Sequence, residues 1–274
     1  MIAWASIAPH GGAVVPELAD GEPHQMAVTR AAMEELGRRA QLAQPETLVV
    51  LTPHGIACHR RICVSVGELA VGELAGPGGT IGALHPVDMP LAAHIALALN
   101  ELDVPNVVAS VDRDFNPVSI FPLDFAAIIP LWFIGARWDP PPHVVVVCPN
   151  DNVSKARLFR AGGAIAIAAA RTQRRVGVIC SVDHGHGHQL DGPYGFSPTS
   201  AEYDEEVCQA IKDNALNRLR RWRRDWVESA MVDSYWPLLM LHGILSSGTF
   251  RSELLSYEAP TYFGMACAEF VPAV

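Results

Sequence analysis

His143-Val144-Val145-Val146-Val147-Cys148 is a nearly unbroken β-branched run. It has no polar–apolar alternation, so both of its faces need cover, as in a central strand of a parallel sheet. Working outward, residues 175–181 read the same way, and Thr47–Leu51 is a third buried strand. Residues 2–7, 62–66, 106–111 and 254–258 complete the predicted strands. Between them lie stretches of helical spacing. Residues 25–42 carry Met26, Ala32, Met33, Leu36 and Leu42 on one stripe. Residues 86–102 place Pro86 in a first turn. Residues 154–172 begin on Ser154 as N-cap, and residues 199–213 on Thr199. Residues 216–232 and 236–245 are the last two predicted helices. The glycine-rich stretch 67–84 reads as a loop or a hairpin excursion. This alternation predicts a single α/β domain over residues 1–274, with a mainly parallel central sheet and helices on both faces.

Composition sets limits. Half of the 274 residues are hydrophobic and 18% are charged, enough apolar material for a large core. The net charge of −9 argues against a nucleic-acid binder. The arginine-rich run 218–224 around Trp222 therefore reads as a solvated helix face paired with nearby acids. The apolar stretch 161–170, bounded by Arg160 and Arg171, is half of the roughly 20 residues that span a bilayer. A basic leader is missing from the start Met-Ile-Ala-Trp-Ala-Ser, so no membrane association and a cytoplasmic location are expected. The six cysteines form no C-x-x-C pair and read as small buried side chains. The large apolar share makes an oligomer, of one or of two kinds of chain, the expectation.

The chemistry concentrates in four places. Pro9-His10-Gly11 and Pro53-His54-Gly55 each follow a strand. A proline stops the strand and a glycine lets the chain turn, which puts both imidazoles at strand ends, where open α/β sheets hold ligands. Two such histidines are a candidate metal pair. The third place is Ser181-Val182-Asp183-His184-Gly185-His186-Gly187-His188, also at a strand end. It reads either as a solvated polar loop or as the source of a general acid or base, since imidazole titrates near neutrality. Asp183 is placed to hold an imidazole in one tautomer. The fourth is Tyr257-Glu258-Ala259-Pro260-Thr261-Tyr262-Phe263-Gly264-Met265, where a carboxylate in an aromatic segment needs a cation, a hydrogen-bond network or a metal. Two histidines and Glu258 suit a non-haem Fe(II) facial triad and equally a His₂Glu zinc site. Tyr194 and Tyr257 are candidates to hydrogen-bond a phenolic substrate. The single histidines His59, His85, His94, His143 and His242 read as core or surface residues, and His24 as preceding a helix.

These pieces, in this order along nearly the whole chain, resemble the class III extradiol ring-cleavage dioxygenases, the family of the protocatechuate 4,5-dioxygenase catalytic subunit. The resemblance implies that His10, His54 and Glu258 bind Fe(II). It implies that His186, or its close competitor His188, is the catalytic acid/base. The substrates it implies are O₂ and an aromatic diol or aminophenol, with Phe125, Asp183 and Tyr257 lining the substrate site. One departure stands out. The family has an Asp-His-Gly segment before a Val-Pro-Leu strand, whereas this chain reads Leu123-Asp124-Phe125-Ala126-Ala127-Ile128-Ile129-Pro130-Leu131, with Phe125 in the histidine position. The expected function is an extradiol dioxygenase of aromatic catabolism. The alternative is a metal-binding non-oxygenase relative or partner subunit, and a zinc hydrolase on the same ligands is a third reading.

Overall fold

The computed structural model describes residues 1–19, 25–111 and 118–273; His24 lies outside them. Its strands are β1 (Ile2–Ala8), β2 (Thr47–Leu51), β3 (Ile62–Ser65), β4 (Leu69–Gly76), β5 (Gly79–Pro86), β6 (Asn106–Ala109), β7 (Ile120–Pro122), β8 (His143–Cys148), β9 (Val176–Ser181), β10 (Phe250–Glu258) and β11 (Met265–Pro272). Its helices are α1 (Ala27–Ala43), α2 (Met89–Glu101), α3 (Phe125–Phe133), α4 (Lys155–Arg171), α5 (Pro198–Lys212), α6 (Arg224–Ser229) and α7 (Tyr235–Leu245).

The large sheet has 8 strands in the order β10-β11-β1-β9-β2-β8-β3-β6. β1, β9, β2 and β8 are parallel neighbours, and β11 and β3 join this block antiparallel at its two sides. The β-branched strands bury residues on both faces. Val49, Leu51, Val145 and Val147 enter one core with α2, α4, α5 and α7. Leu48, Val50, Val144 and Val146 enter the other with α1 and α3. The predicted single α/β domain is thus the observed one. No described helix is long and apolar enough to cross a membrane.

Several local expectations change. The stretch 67–84 takes its hairpin form: β4 and β5 pair antiparallel, and β7 joins β4 to make a second sheet. Pro86 ends β5 and does not open a helix; α2 starts later because Asp88 accepts a hydrogen bond from the Leu91 N–H and Pro90 occupies its first turn. Thr199 does not cap α5. The N-cap position falls on Ser197, whose hydroxyl donates to the Ser229 carbonyl at 2.8 Å. The expected helix 216–232 is a 3-10 turn (Leu216–Arg221) and α6, broken where Trp222 and Arg223 adopt extended backbone. The Trp222 ring packs among Tyr203, Trp226 and Tyr235, which fixes the break. Arg218, Arg223 and Arg224 pair with Asp213, Asp225 and Glu228, as expected of a solvated face. The segment around Phe125 is helix α3, not a strand, because Asp124 caps it by accepting from the Ala127 N–H at 3.1 Å.

Candidate metal centre

β1, β9 and β2 run in the same direction side by side, so their C-terminal ends open on one edge of the sheet. His10 leaves β1 there, His54 leaves β2 and Asp183 leaves β9. The two histidine rings meet edge to face, with centroids 5.0 Å apart. The third donor comes from outside the sheet. Asp233 lies between α6 and α7, two residues after Met231, whose φ of 53° turns the chain inward.

Asp233 Oδ2 is 3.1 Å from His10 Nε2 and 3.1 Å from His54 Nε2. One donor atom from each of the three residues falls within a 4.8 Å set, the only such group among the described residues. Ligands about 2.1 Å from a divalent ion and at right angles to one another stand about 3.0 Å apart, so this donor set fits a metal with positions left open. The other carboxylate oxygen, Oδ1, accepts the Asp183 N–H at 2.9 Å, which aims Oδ2 at the imidazoles. Ser181 fixes the tautomer of His10. Its hydroxyl donates to the Ala126 carbonyl, so toward His10 Nδ1, 3.0 Å away, it acts as acceptor. The Nδ1 proton is thereby held, so Nε2 is the nitrogen left for a metal; with none bound it carries the proton that faces Asp233. Asp183 also accepts the His10 backbone N–H at 3.1 Å and lies 3.4 Å from His10 Nε2.

The electrostatics favour a cation. Burial alone would lower the His10 pKa, but the carboxylates of Asp183 and Asp233 overcome it and raise it to about 9. Burial opposes ionisation of Asp233, yet the charge of His10 and the hydrogen bonds from His10 and His54 hold its pKa below the ordinary carboxylate range. Asp183, fully buried, is pushed up to about 6, with His10 pulling the other way.

Glu258 does not belong to this donor set. Its Oε1 accepts from the Thr29 N–H at 2.7 Å and the Thr29 hydroxyl at 2.6 Å, at the start of α1. A carboxylate at a helix N-terminus is satisfied there without a metal. Of the expected set His10, His54 and Glu258, the two histidines come together with Asp233, and Glu258 stands apart on Thr29. Sequence reading passed over Asp233 because an Asp-Ser pair ahead of an apolar helix looks like a cap.

The remaining candidates separate into two groups. Phe125 stands over both histidine rings, at 4.7 Å from His54 and 5.4 Å from His10. His186 follows Asp183 by three residues on the same loop. Its ring is stacked on Phe263 at 5.7 Å and lies against Tyr194 and Tyr262. His188 and Tyr257 turn elsewhere: His188 Nε2 is 2.9 Å from Asp204 Oδ2, and the Tyr257 hydroxyl donates to the same oxygen at 2.7 Å. Both side chains line a different surface cavity with Glu205 and Lys212. The Tyr257 hydroxyl, expected to contact substrate, is directed at Asp204.

A family model described as the catalytic LigB subunit of aromatic ring-opening dioxygenase matches residues 5–268, a span that takes in His10, His54 and Asp233. This chain belongs to that family. LigB membership supports a dioxygenase-like fold, and the His/His/Asp group supplies a candidate metal site. Protein CA_C1420 of Clostridium acetobutylicum is 26% identical over 257 residues, covering 91% of this chain and 53% of that protein. The chain thus spans about half the length of the curated relative it matches. In fold it is similar to the crystal structure of the uncharacterized protein JW3007 from Escherichia coli. The TM-score is 0.57 at 16% identity, over 97% of this chain and 99% of that one.

Proposed function

We propose that this LigB-family chain is a non-haem Fe(II)-dependent extradiol dioxygenase that opens a catechol-like or aminophenol-like ring with O₂. The observation that carries the proposal is the convergence of His10 Nε2, His54 Nε2 and Asp233 Oδ2. These three atoms would hold the metal. Bound iron would supply the redox chemistry that lets triplet O₂ react with a closed-shell aromatic, which zinc lacks.

The chain's own residues do the rest. Ser181 and Asp183 orient His10, and Asp183 orients Asp233. The Phe125 ring packs against both histidine rings. Phe263, Tyr262 and Tyr194 form an aromatic wall beside His186, suited to a flat ring. His186 acts as the acid/base: its imidazole takes the proton of the substrate hydroxyl and later returns it. His188 is tied to Asp204 and does not compete for that role. The same reading places the protein in aromatic catabolism in the cytoplasm, working as an oligomer.

Phe125 favours one second reading, a metal-binding relative or partner subunit without oxygenase activity, since it replaces a histidine of the family pattern. The two readings part in one experiment. The protein is purified anaerobically, its metal content measured, Fe(II) loaded, and O₂ uptake followed with a panel of catechols and aminophenols. One iron per chain with substrate-dependent uptake and a new yellow product is the expected result. Tight metal binding with no uptake, together with uptake in Phe125→His, would establish the second reading in its place.

A further inference from the structure

A buried polar cluster away from the metal donors surrounds Asp204 of α5. This side chain is fully buried, and both of its oxygens are engaged. Oδ1 accepts the Gly185 N–H at 2.7 Å. Oδ2 accepts the Tyr257 hydroxyl at 2.7 Å and lies 2.9 Å from His188 Nε2. Gly264 is pressed against the same carboxylate: a Cβ there would stand 1.8 Å from Oδ2, so only glycine fits. Three segments therefore meet on one carboxylate: the 184–188 loop, the end of β10 and the 259–264 loop.

The two loops are also stitched to each other. The His184 N–H donates to the Gly264 carbonyl at 2.8 Å, the Gly264 N–H to the Gly185 carbonyl at 3.0 Å, and the His188 N–H to the Tyr262 carbonyl at 3.1 Å. His186 lies in the middle of the first loop, and Phe263 and Tyr262 of the second pack on its ring. Moving the Asp204 carboxylate would move both the backbone that carries His186 and the aromatic wall that sets its plane.

We propose that Asp204 is a positioning residue for His186: it clamps the 184–188 loop to β10 and to the 259–264 loop and so sets the alignment of the imidazole at the metal centre. The proposal rests on the reading of His186 as the acid/base. An ionised carboxylate accepts from all three donors at once, whereas an amide in its place turns one acceptor into a donor facing the Tyr257 hydroxyl and His188. Small displacements of an acid/base group are costly, of the order of 100-fold in rate for about 1 Å.

The test uses the full chain with Asp204→Asn and Tyr257→Phe, the latter removing one donor and little volume. Steady-state kinetics of the Fe(II)-loaded enzyme are combined with ring NMR signals of His186 in the zinc-loaded, diamagnetic protein. Asp204→Asn is expected to lower kcat by about 10- to 100-fold with KM changed by less than about threefold. Metal stoichiometry is expected to stay at one and the His186 ring signals to move. Tyr257→Phe is expected to do the same to a smaller degree. A folded Asp204→Asn with wild-type kcat and unmoved His186 signals overturns the proposal. So does a loss confined to KM or to metal content. If Asp204→Asn does not fold, Tyr257→Phe decides by the same criteria. If the wild type turns over no aromatic, the ring-opening reading fails by itself, and the His186 signals still decide whether Asp204 positions that ring.

Discussion

Asp233 stands where a reading along the chain puts Glu258, facing both imidazoles, and the difference can be measured. Asp233→Ala removes the oxygen that faces both imidazoles. It is expected to abolish stoichiometric metal binding, as read by elemental analysis after gel filtration. Glu258→Gln is expected to bind metal like the wild type and to lose about 1 kcal/mol of stability in urea, from the carboxylate lost at the N-terminus of α1. Metal loss in Glu258→Gln with retention in Asp233→Ala would reverse the assignment. The histidine pair was legible because Pro-His-Gly at the end of an apolar run stops a strand, turns the chain and leaves an imidazole at the sheet edge. The acid was not. Glu258 finds its partner in Thr29, 229 positions away, and Asp233 reaches the histidines only through the packing of α7, so neither pairing leaves a local mark.

At the scale of elements, strands with unbroken β-branched runs were legible almost to the residue, as β2 and β8 show. β11 was not predicted, because Ala266, Ala268 and an internal Glu269 give it a poor strand pattern. Its Glu269 is buried only because Trp4 Nε1 donates to it at 2.6 Å and Arg39 pairs with it at 2.7 Å. Helix α3 was missed for the opposite reason: its run is so apolar that length and period do not separate helix from strand. The junction of β5 with β8 carries a pH dependence. His85 is buried there, its Nδ1 lies 2.9 Å from the Pro142 carbonyl, and its Nε2 has no partner among the described residues. Burial lowers its pKa from 6.5, with the Pro142 carbonyl opposing. The unfolded chain therefore takes up this proton first as the pH falls. The stability that a neutral His85 confers is complete above pH 6.5 and is lost as the pH drops through that value toward the lower folded-state one. His85→Asn keeps an N–H for the Pro142 carbonyl and does not titrate. Its urea midpoint is expected to fall less than that of the wild type between pH 7.5 and pH 5. Equal slopes for the two proteins would remove His85 from the account.

For the molecule as a whole, the α/β class and the two-sided cover of the sheet followed from alternation and run length. The strand order did not, since no local pattern says that β9 inserts between β1 and β2. That order matters because it brings the ends of β1 and β2 to one edge, where α7 delivers Asp233. Metal binding therefore links three distant parts of the fold and should stabilise all of it. At a free metal concentration 100 times Kd the gain is about 2.7 kcal/mol, or roughly 5–10 °C in Tm for a chain of this size. Chelation should reverse it, as scanning calorimetry would show; an unchanged Tm would mean that the three donors do not share an ion. Close packing elsewhere holds the frame that this depends on. Gly162 of α4 and Gly243 of α7 let those helices touch backbone to backbone, since a Cβ at Gly162 would lie 1.9 Å from the Met240 carbonyl oxygen.

The place of β1 in the sheet has a consequence for the protein's birth. β1 is flanked in the sheet by β9 and β11, which leave the ribosome long after it. Until residues 176–181 and 265–272 have emerged, β1 has no edge to pair with, and His10 has neither Ser181 nor Asp233 beside it. Until then β1 waits as an apolar segment in need of shelter, the kind of exposure that chaperones screen. A chain cut short before Asp233 would carry both histidines without the carboxylate that faces them, so the donor set forms only once that residue has been made.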